Sequence, residues 1–151
     1  MQRENRTAGQ QDAAALAEID SLVNVNPWSK AQFERACESV DAAQLAVWVL
    51  AQGGRIDGFI VYSQVLEEAT LQSIAVQPDH QGKGLGRELL QLALGNMKQA
   101  GAEICLLEVR QSNALAQALY LNHGFQLDGV RKNYYPSLDG REDALLMSLK
   151  L

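Results

Sequence analysis

The chain has 151 residues, 47% of them hydrophobic, and a formal net charge of −5. That length and apolar content suit a single domain, residues 1–151, with a real core; the negative charge argues against general nucleic-acid binding and modestly favours a basic partner. No apolar run reaches the ~18 residues of a membrane span, and the opening Met1-Gln2-Arg3-Glu4-Asn5-Arg6 lacks the apolar centre of a secretory signal, so a cytoplasmic protein without a membrane partner is expected.

Apolar spacing through Ala13, Leu16, Ala17, Ile19 and Val23 predicts a first helix over residues 11–23, stopped by Asn24-Val25-Asn26-Pro27. Ser29 with Gln32 reads as a capping box opening a short helix through Cys37. Three strands follow, over residues 45–51, 58–65 and 70–76, with turns at Gly53-Gly54 and Glu67-Glu68. Short connections make them an antiparallel meander. Cys37 and Cys105 lie far apart, Cys105 within an apolar strand where a reduced packing residue is the default. With only two histidines, no metal site is expected.

The stretch Asp79-His80-Gln81-Gly82-Lys83-Gly84-Leu85-Gly86-Arg87 lies between the third strand and a helix carrying Leu85, Leu89, Leu92 and Met97 on one face. Glycine admits positive φ and close backbone approach, and the first N–H groups of a helix attract anions. Strand, glycine loop and helix together read as a phosphate cradle. A Walker A loop is excluded because Gly82-Lys83 is followed by Gly84. A dinucleotide fingerprint fails at Arg87 in one register and at Leu89 in the other. The helix runs to about Gln99 with Gly101 beyond its end, and Gly95 inside it has no evident purpose.

Residues 104–109 form a nearly unbroken apolar run, which predicts a strand covered on both faces and parallel to the one before the glycine loop. Glu108 interrupts it. The residues leave two readings open: an ion pair with Arg110 or another arginine, or a base with a raised pKa. Ser112 is the expected cap of a helix over residues 113–122, with Leu115, Leu119 and Ala116 turned inward. Tyr120 on that helix reads, on spacing alone, as ordinary packing. Gly124 ends the helix, a strand covers residues 125–130, and the last strand covers residues 144–149. Between them the polar residues 131–143, with Tyr134 and Tyr135 adjacent, read as a recognition loop.

Gln81-x-x-Gly84-x-Gly86, with Asn113, Ala118-Leu119-Tyr120 and Gly124-Phe125 downstream, resembles the GNAT family of N-acetyltransferases. Pro27-Trp28-Ser29, Glu68-Ala69-Thr70-Leu71, Leu107-Glu108-Val109-Arg110, Asn133-Tyr134-Tyr135-Pro136 and Gly140-Arg141-Glu142-Asp143-Ala144 narrow the resemblance. They are similar to the bacterial branch that acetylates the N-terminus of a small-subunit ribosomal protein. The resemblance covers about residues 10–149 and shows no departure at the motif positions; the first ten residues match nothing in it.

The resemblance implies an α/β fold of mixed type: a central sheet with an antiparallel N-terminal meander, a parallel strand pair that splays apart, and helices on both faces. It implies acetyl-CoA as cosubstrate, its pantetheine arm along Ile74, Ala75 and Val76 and its diphosphate on Gly82, Lys83, Gly84, Leu85, Gly86 and Arg87, with Asn113 as a further contact. Glu108 would be the base, Tyr120 the acid and the Val76 N–H the oxyanion donor. Trp28, Tyr134 and Tyr135 would line the path of a ribosomal protein's N-terminal tail, most simply one beginning with alanine. An α-amine titrates near ~7.7–8.0 and a lysine near ~10.4, so the α-amine asks less of the base. An acetyltransferase for lysines or a small amine, and a domain that only senses acetyl-CoA, are the competing classes.

Overall fold

The computed structural model describes residues 2–38 and 45–151; Met1 and residues 39–44 lie outside the described residues. In chain order the elements are β1 (Glu4–Thr7), α1 (Ala13–Val23), α2 (Lys30–Ala36), β2 (Leu45–Gln52), β3 (Arg55–Val65), β4 (Glu68–Val76), α3 (Leu85–Gln99), β5 (Ile104–Arg110), α4 (Ala114–Asn122), β6 (Gln126–Ser137) and β7 (Gly140–Lys150). Short 3-10 turns precede α1 at Gln10–Asp12 and α3 at Pro78–His80. Among the described residues the strands form one mixed sheet in the order β1-β2-β3-β4-β5-β7-β6.

Helices cover both faces. One core gathers Leu85, Leu89, Leu90 and Met97 of α3 with Ile60 of β3, Leu107 and Val109 of β5 and Tyr120 of α4. The other gathers Leu16 and Ile19 of α1 and Phe33 of α2 with Val47, Val49, Phe59 and Val61. The periodicities that predicted these helices are the stripes they bury. Ser29 caps α2 as expected, taking the Gln32 N–H at 3.2 Å while Gln32 Oε1 takes the Ser29 N–H at 2.8 Å. Beyond α3, Gly101 sits at φ +94°, and the Ala102 N–H reaches back to Met97 O at 2.9 Å. Gly53 and Gly54, both at positive φ, make the two-residue β2–β3 hairpin whose twist matches its strands.

The feature that positions the site lies between β4 and β5. They pair in parallel through Glu68↔Ile104, Ala69↔Cys105 and Thr70↔Leu106, and there the ladder stops. On its other edge β4 stays paired to β3, but Val61↔Ser73 is followed by Tyr62↔Leu71, leaving Gln72 as the extra residue of a bulge. A bulge bends its strand and strengthens the local twist. β4 therefore turns away from β5 directly after their last pair, and among the described residues the edge it presents to β5 from Leu71 to Val76 has no strand partner.

Several elements differ from expectation. β1 is new: its polar residues show no strand pattern, and it is held by backbone pairing from Glu4↔Ala51 to Thr7↔Trp48. β5 is not covered on both faces. Cys105, Leu107 and Val109 are buried under α3 and α4, whereas Ile104, Leu106 and Arg110 are half-buried and Glu108 is exposed, because α1 packs on β3 and β4 and stops short of β5. Ser112 does not cap α4; Asn113 does, its Oδ1 accepting the Ala116 N–H at 3.1 Å. Leu119 and Ala116 pack inward, but Leu115 is 82% exposed. The stretch expected as a loop is the end of a long hairpin: β6 runs to Ser137 and β7 starts at Gly140. β6 is an edge strand with little packed on it, so no apolar alternation marks it. Burial pushes the Cys105 thiol up to about 12, in keeping with a reduced packing residue.

Gly95 is exposed, and a Cβ built on it meets nothing within 4 Å. Gly95→Ala should therefore stabilise the fold by about 1 kcal/mol, raising the thermal midpoint by roughly 2–4 °C in a calorimetric scan.

Candidate functional site

The loop after β4 is built to expose backbone. Gln81 Nε2 donates to Val76 O at 3.1 Å and ties the loop to the strand it leaves. Gly82 and Gly84 adopt φ +77° and +84°, conformations that strain any residue with a Cβ. A Cβ at Gly82 would meet nothing within 4 Å, and one at Gly84 only Arg87 Nη2 at 3.6 Å. Both positions thus face open space, and Gly84 is the N-cap of α3, so the unpaired N–H groups of that helix are available to an anion.

The loop opens into a groove of about 1500 Å³ that follows the β4–β5 splay. Ile74, Ala75 and Val76 line it along the free edge of β4, and Gly82, Gly84, Leu85, Gly86 and Arg87 line it at the loop. Asn113, Glu108, Tyr120, Trp28 and Tyr135 join them from β5, α4, the α1–α2 connection and β6. Lys83 and Tyr134 do not line it. A narrow strip of free strand edge ending in a glycine-flanked helix N-terminus fits an extended chain joined to a diphosphate, and the pantetheine arm of acetyl-CoA is such a chain. Among the described residues no three His, Cys, Asp or Glu side chains cluster as metal ligands.

Glu108 and Tyr120 approach the groove from opposite sides of the sheet. Glu108 alternates with Leu107 and Val109 and so points away from the α3–α4 core. Its side chain is 32% exposed and its Oε1 lies 3.6 Å from Arg131 Nη1. The ion pair expected with Arg110 or another arginine thus forms with Arg131. Arg110 instead donates to Pro136 O at 2.8 Å, lies 3.4 Å from Glu142, and sits 4.4 Å over the Tyr135 ring. Tyr120 is 5% exposed and packs on Phe125 with ring centroids 5.7 Å apart, so the packing reading holds while its residue also lines the groove. Burial holds the Tyr120 phenol well above its ordinary pKa, so it stays protonated and can act as a donor.

The β6–β7 hairpin carries the two tyrosines on an irregularity in which Arg131↔Ala144 is followed by Tyr135↔Glu142. Asn133 takes φ +53° there, its N–H held by Asp143 Oδ1 at 2.9 Å, and Arg141 brackets Asn133 O and Tyr134 O at 2.7 and 2.9 Å. Tyr134 and Tyr135 meet edge to face at 5.0 Å. Burial first, and then the Glu108 charge, raise the Tyr135 phenol above its ordinary value. Ser112 donates its hydroxyl to Glu142 Oε1 at 2.7 Å, which fastens the start of α4 to this hairpin.

Two carboxylates escaped the reading of the sequence. Asp20, 1% exposed on α1, accepts the Trp28 N–H at 2.8 Å and a hydrogen bond from the Asn24 side chain, so it fixes the connection that brings Trp28 to the groove. Asp57 is fully buried and is the extra residue of a second bulge, where Leu50↔Gly58 gives way to Ala51↔Ile56. Its carboxylate meets Arg55 at 2.7 Å, Arg3 at 3.1 Å and His80 at 3.5 Å, and its carbonyl accepts the Gln77 N–H at 2.8 Å. An aspartate within an apolar strand was the visible signal. Burial raises the Asp57 pKa, but hydrogen bonds from Arg55 and Arg3 and the charges of His80 and Arg55 outweigh it and hold it below the usual carboxylate range.

The Acetyltransferase (GNAT) family matches residues 13–125, and the chain belongs to that family. It is an acetyl-CoA-dependent N-acetyltransferase. The chain is 41% identical over 140 residues to the [ribosomal protein bS18]-alanine N-acetyltransferase of Escherichia coli, covering 93% of this chain and 92% of that one. It is 38% identical over 146 residues to the protein of the same name from Haemophilus ducreyi, covering 96% and 98%. The crystal structure of the ribosomal-protein-S18-alanine N-acetyltransferase from Escherichia coli superposes with a TM-score of 0.89 at 38% identity, covering 99% of this chain and 94% of that one. Ard1 from Thermoplasma volcanium shares the fold at 22% identity and a TM-score of 0.87, covering 100% and 99%.

With its pKa depressed, Asp57 contributes stability that is fully present above about pH 4 and is lost as pH falls through its folded value. Asp57→Asn should cost on the order of 2 kcal/mol at pH 7, less than a wholly buried pair because Arg55 remains solvated. The gap to the parent should close below about pH 4 in denaturant titrations.

Proposed function

We propose that this enzyme transfers the acetyl group of acetyl-CoA to the α-amine of an N-terminal alanine on a small-subunit ribosomal protein, in the cytoplasm. The observation that carries this reading is 41% identity over 93% of the chain to relatives named for acetylating bS18. The groove supports it. Its lining joins the glycine loop and the free edge of β4 to Glu108, Trp28 and Tyr135.

In this reading Gly82, Lys83, Gly84, Leu85, Gly86 and Arg87 hold the diphosphate with backbone N–H groups, and Ile74, Ala75 and Val76 pair with the pantetheine amides as a neighbouring strand would. Lys83, outside the groove lining, serves through its N–H. Asn113 Oδ1 is engaged as the α4 cap, so its Nδ2 is the group left to donate. Glu108 takes the proton from the α-ammonium, directly or through water. The amine nitrogen forms a bond to the acetyl carbon while the Val76 N–H steadies the oxyanion. As the carbon–sulfur bond breaks, Tyr120 supplies a proton to the thiolate, and the second proton shed by the attacking nitrogen restores the phenol. Tyr135 bounds the path of the tail, with Trp28 across from it. Tyr134 acts by bracing Tyr135.

Glu108→Gln and Tyr120→Phe should each lower kcat by about 10²–10⁴-fold with acetyl-CoA affinity nearly intact, read by steady-state kinetics and calorimetry. Full turnover in either variant at neutral pH would remove that residue from the proton transfers. An Ala-first peptide should be acetylated on its α-amine, with mass spectrometry placing the group. The same peptide with a blocked α-amine and a free lysine should not react. Equal acetylation of the two would make this a lysine or general-amine acetyltransferase.

A further inference from the structure

We propose that His80 is a further acetyl-CoA-binding residue, acting as an imidazolium held between the buried Asp57 carboxylate and the diphosphate on the glycine loop. The inference rests on the diphosphate placement given above. His80 Nε2 lies 3.5 Å from Asp57 Oδ1, on a carboxylate that is fully buried, while the imidazole itself is 19% exposed. His80 also lines the groove, one residue before Gln81 and two before Gly82. One side of the ring is thus fixed by a buried anion, and the residue lines the groove into which the cradle opens. Its position is set by backbone as well: the turn that carries it hangs from Asp57 O through the Gln77 N–H at 2.8 Å.

Asp57 of β3 faces the ring, Arg55 and Arg3 share that carboxylate, Arg87 of α3 and Asp20 of α1 line the same groove, and Asp79 and Lys83 flank His80 in sequence. Arg3 and Arg55 compensate part of the Asp57 charge. The arriving diphosphate is therefore the second anion that favours the protonated ring. A second anion beside the ring favours its protonated form, so acetyl-CoA binding takes up a proton from the buffer. In return the imidazolium adds a charge-assisted contact to those of the backbone.

Calorimetric titration of acetyl-CoA into the full chain from pH 6 to pH 8, in two buffers of different ionisation enthalpy, tests this. Phosphates of the nucleotide titrate over the same range, so the readout is the difference between the parent and His80→Gln. The parent should lose about 3–10-fold in affinity relative to His80→Gln as pH rises, with net proton uptake near neutrality that the variant lacks. His80→Lys should bind tightly without that relative pH dependence. Equal pH slopes and equal proton uptake in parent and His80→Gln would overturn the proposal. So would a loss of affinity in His80→Gln that is uniform across pH, which is the mark of a purely structural role. Gly84→Asp is the control for the placement beneath it. If Gly84→Asp binds like the parent, the diphosphate lies elsewhere and both readings fall; if it binds poorly while the His80 arm fails, only the His80 inference falls.

Discussion

The structure depends on the point where β4 and β5 part company. Two parallel strands that stayed paired would satisfy each other's backbone groups and leave no site. Their ladder ends at Thr70↔Leu106 because the bulge at Gln72 bends β4 within two residues of the last pair. The free edge that results is a row of backbone donors and acceptors inside a protein, which is costly unless water or a ligand satisfies it. The groove is the resolution of that cost, and every residue of the candidate site is placed relative to it.

Rigid packing holds the parting open. On one side α3 is seated by Leu85, Leu89, Leu90 and Met97, none more than 4% exposed, so the glycine loop at its N-terminus is carried by a helix that cannot shift. On the other side β5 is clamped to β7 along its whole length, from Ile104↔Lys150 to Arg110↔Ala144. The strands are thus each locked to an outer neighbour and released from one another only where the groove needs it.

Polar residues do comparable work at the rim. Asp57 joins the segment before β1, the β2–β3 hairpin and the turn before the glycine loop. Asp20 does the same for the connection bearing Trp28, and Glu142 for the start of α4 and the tyrosine hairpin. Each is a carboxylate satisfied by several donors, the arrangement in which a buried charge adds precise placement to the fold. Site walls built from irregular chain are thereby held in register with the sheet.

Much of this was legible in the sequence, wherever a local rule was sufficient. The meander, the capping box at Ser29, both helix stops at glycine and the glycine loop follow from spacing and from the φ angles that glycine alone adopts freely. These involve residues within a few positions of one another. Tertiary structure decided the rest. β1 has no apolar pattern because only its backbone is used. The extent of β6 was hidden because an edge strand with solvent around it needs no alternation. Glu108 looked buried because its neighbours are apolar, yet α1 ends short of β5 and leaves that face open, with Arg131 rather than Arg110 beside it. The partners of Asp57 come from residues 3, 55 and 80, and no local signal could pair them. Sequence spacing records which face of an element is apolar; what covers that face, and what stands at its end, is decided only when distant elements pack.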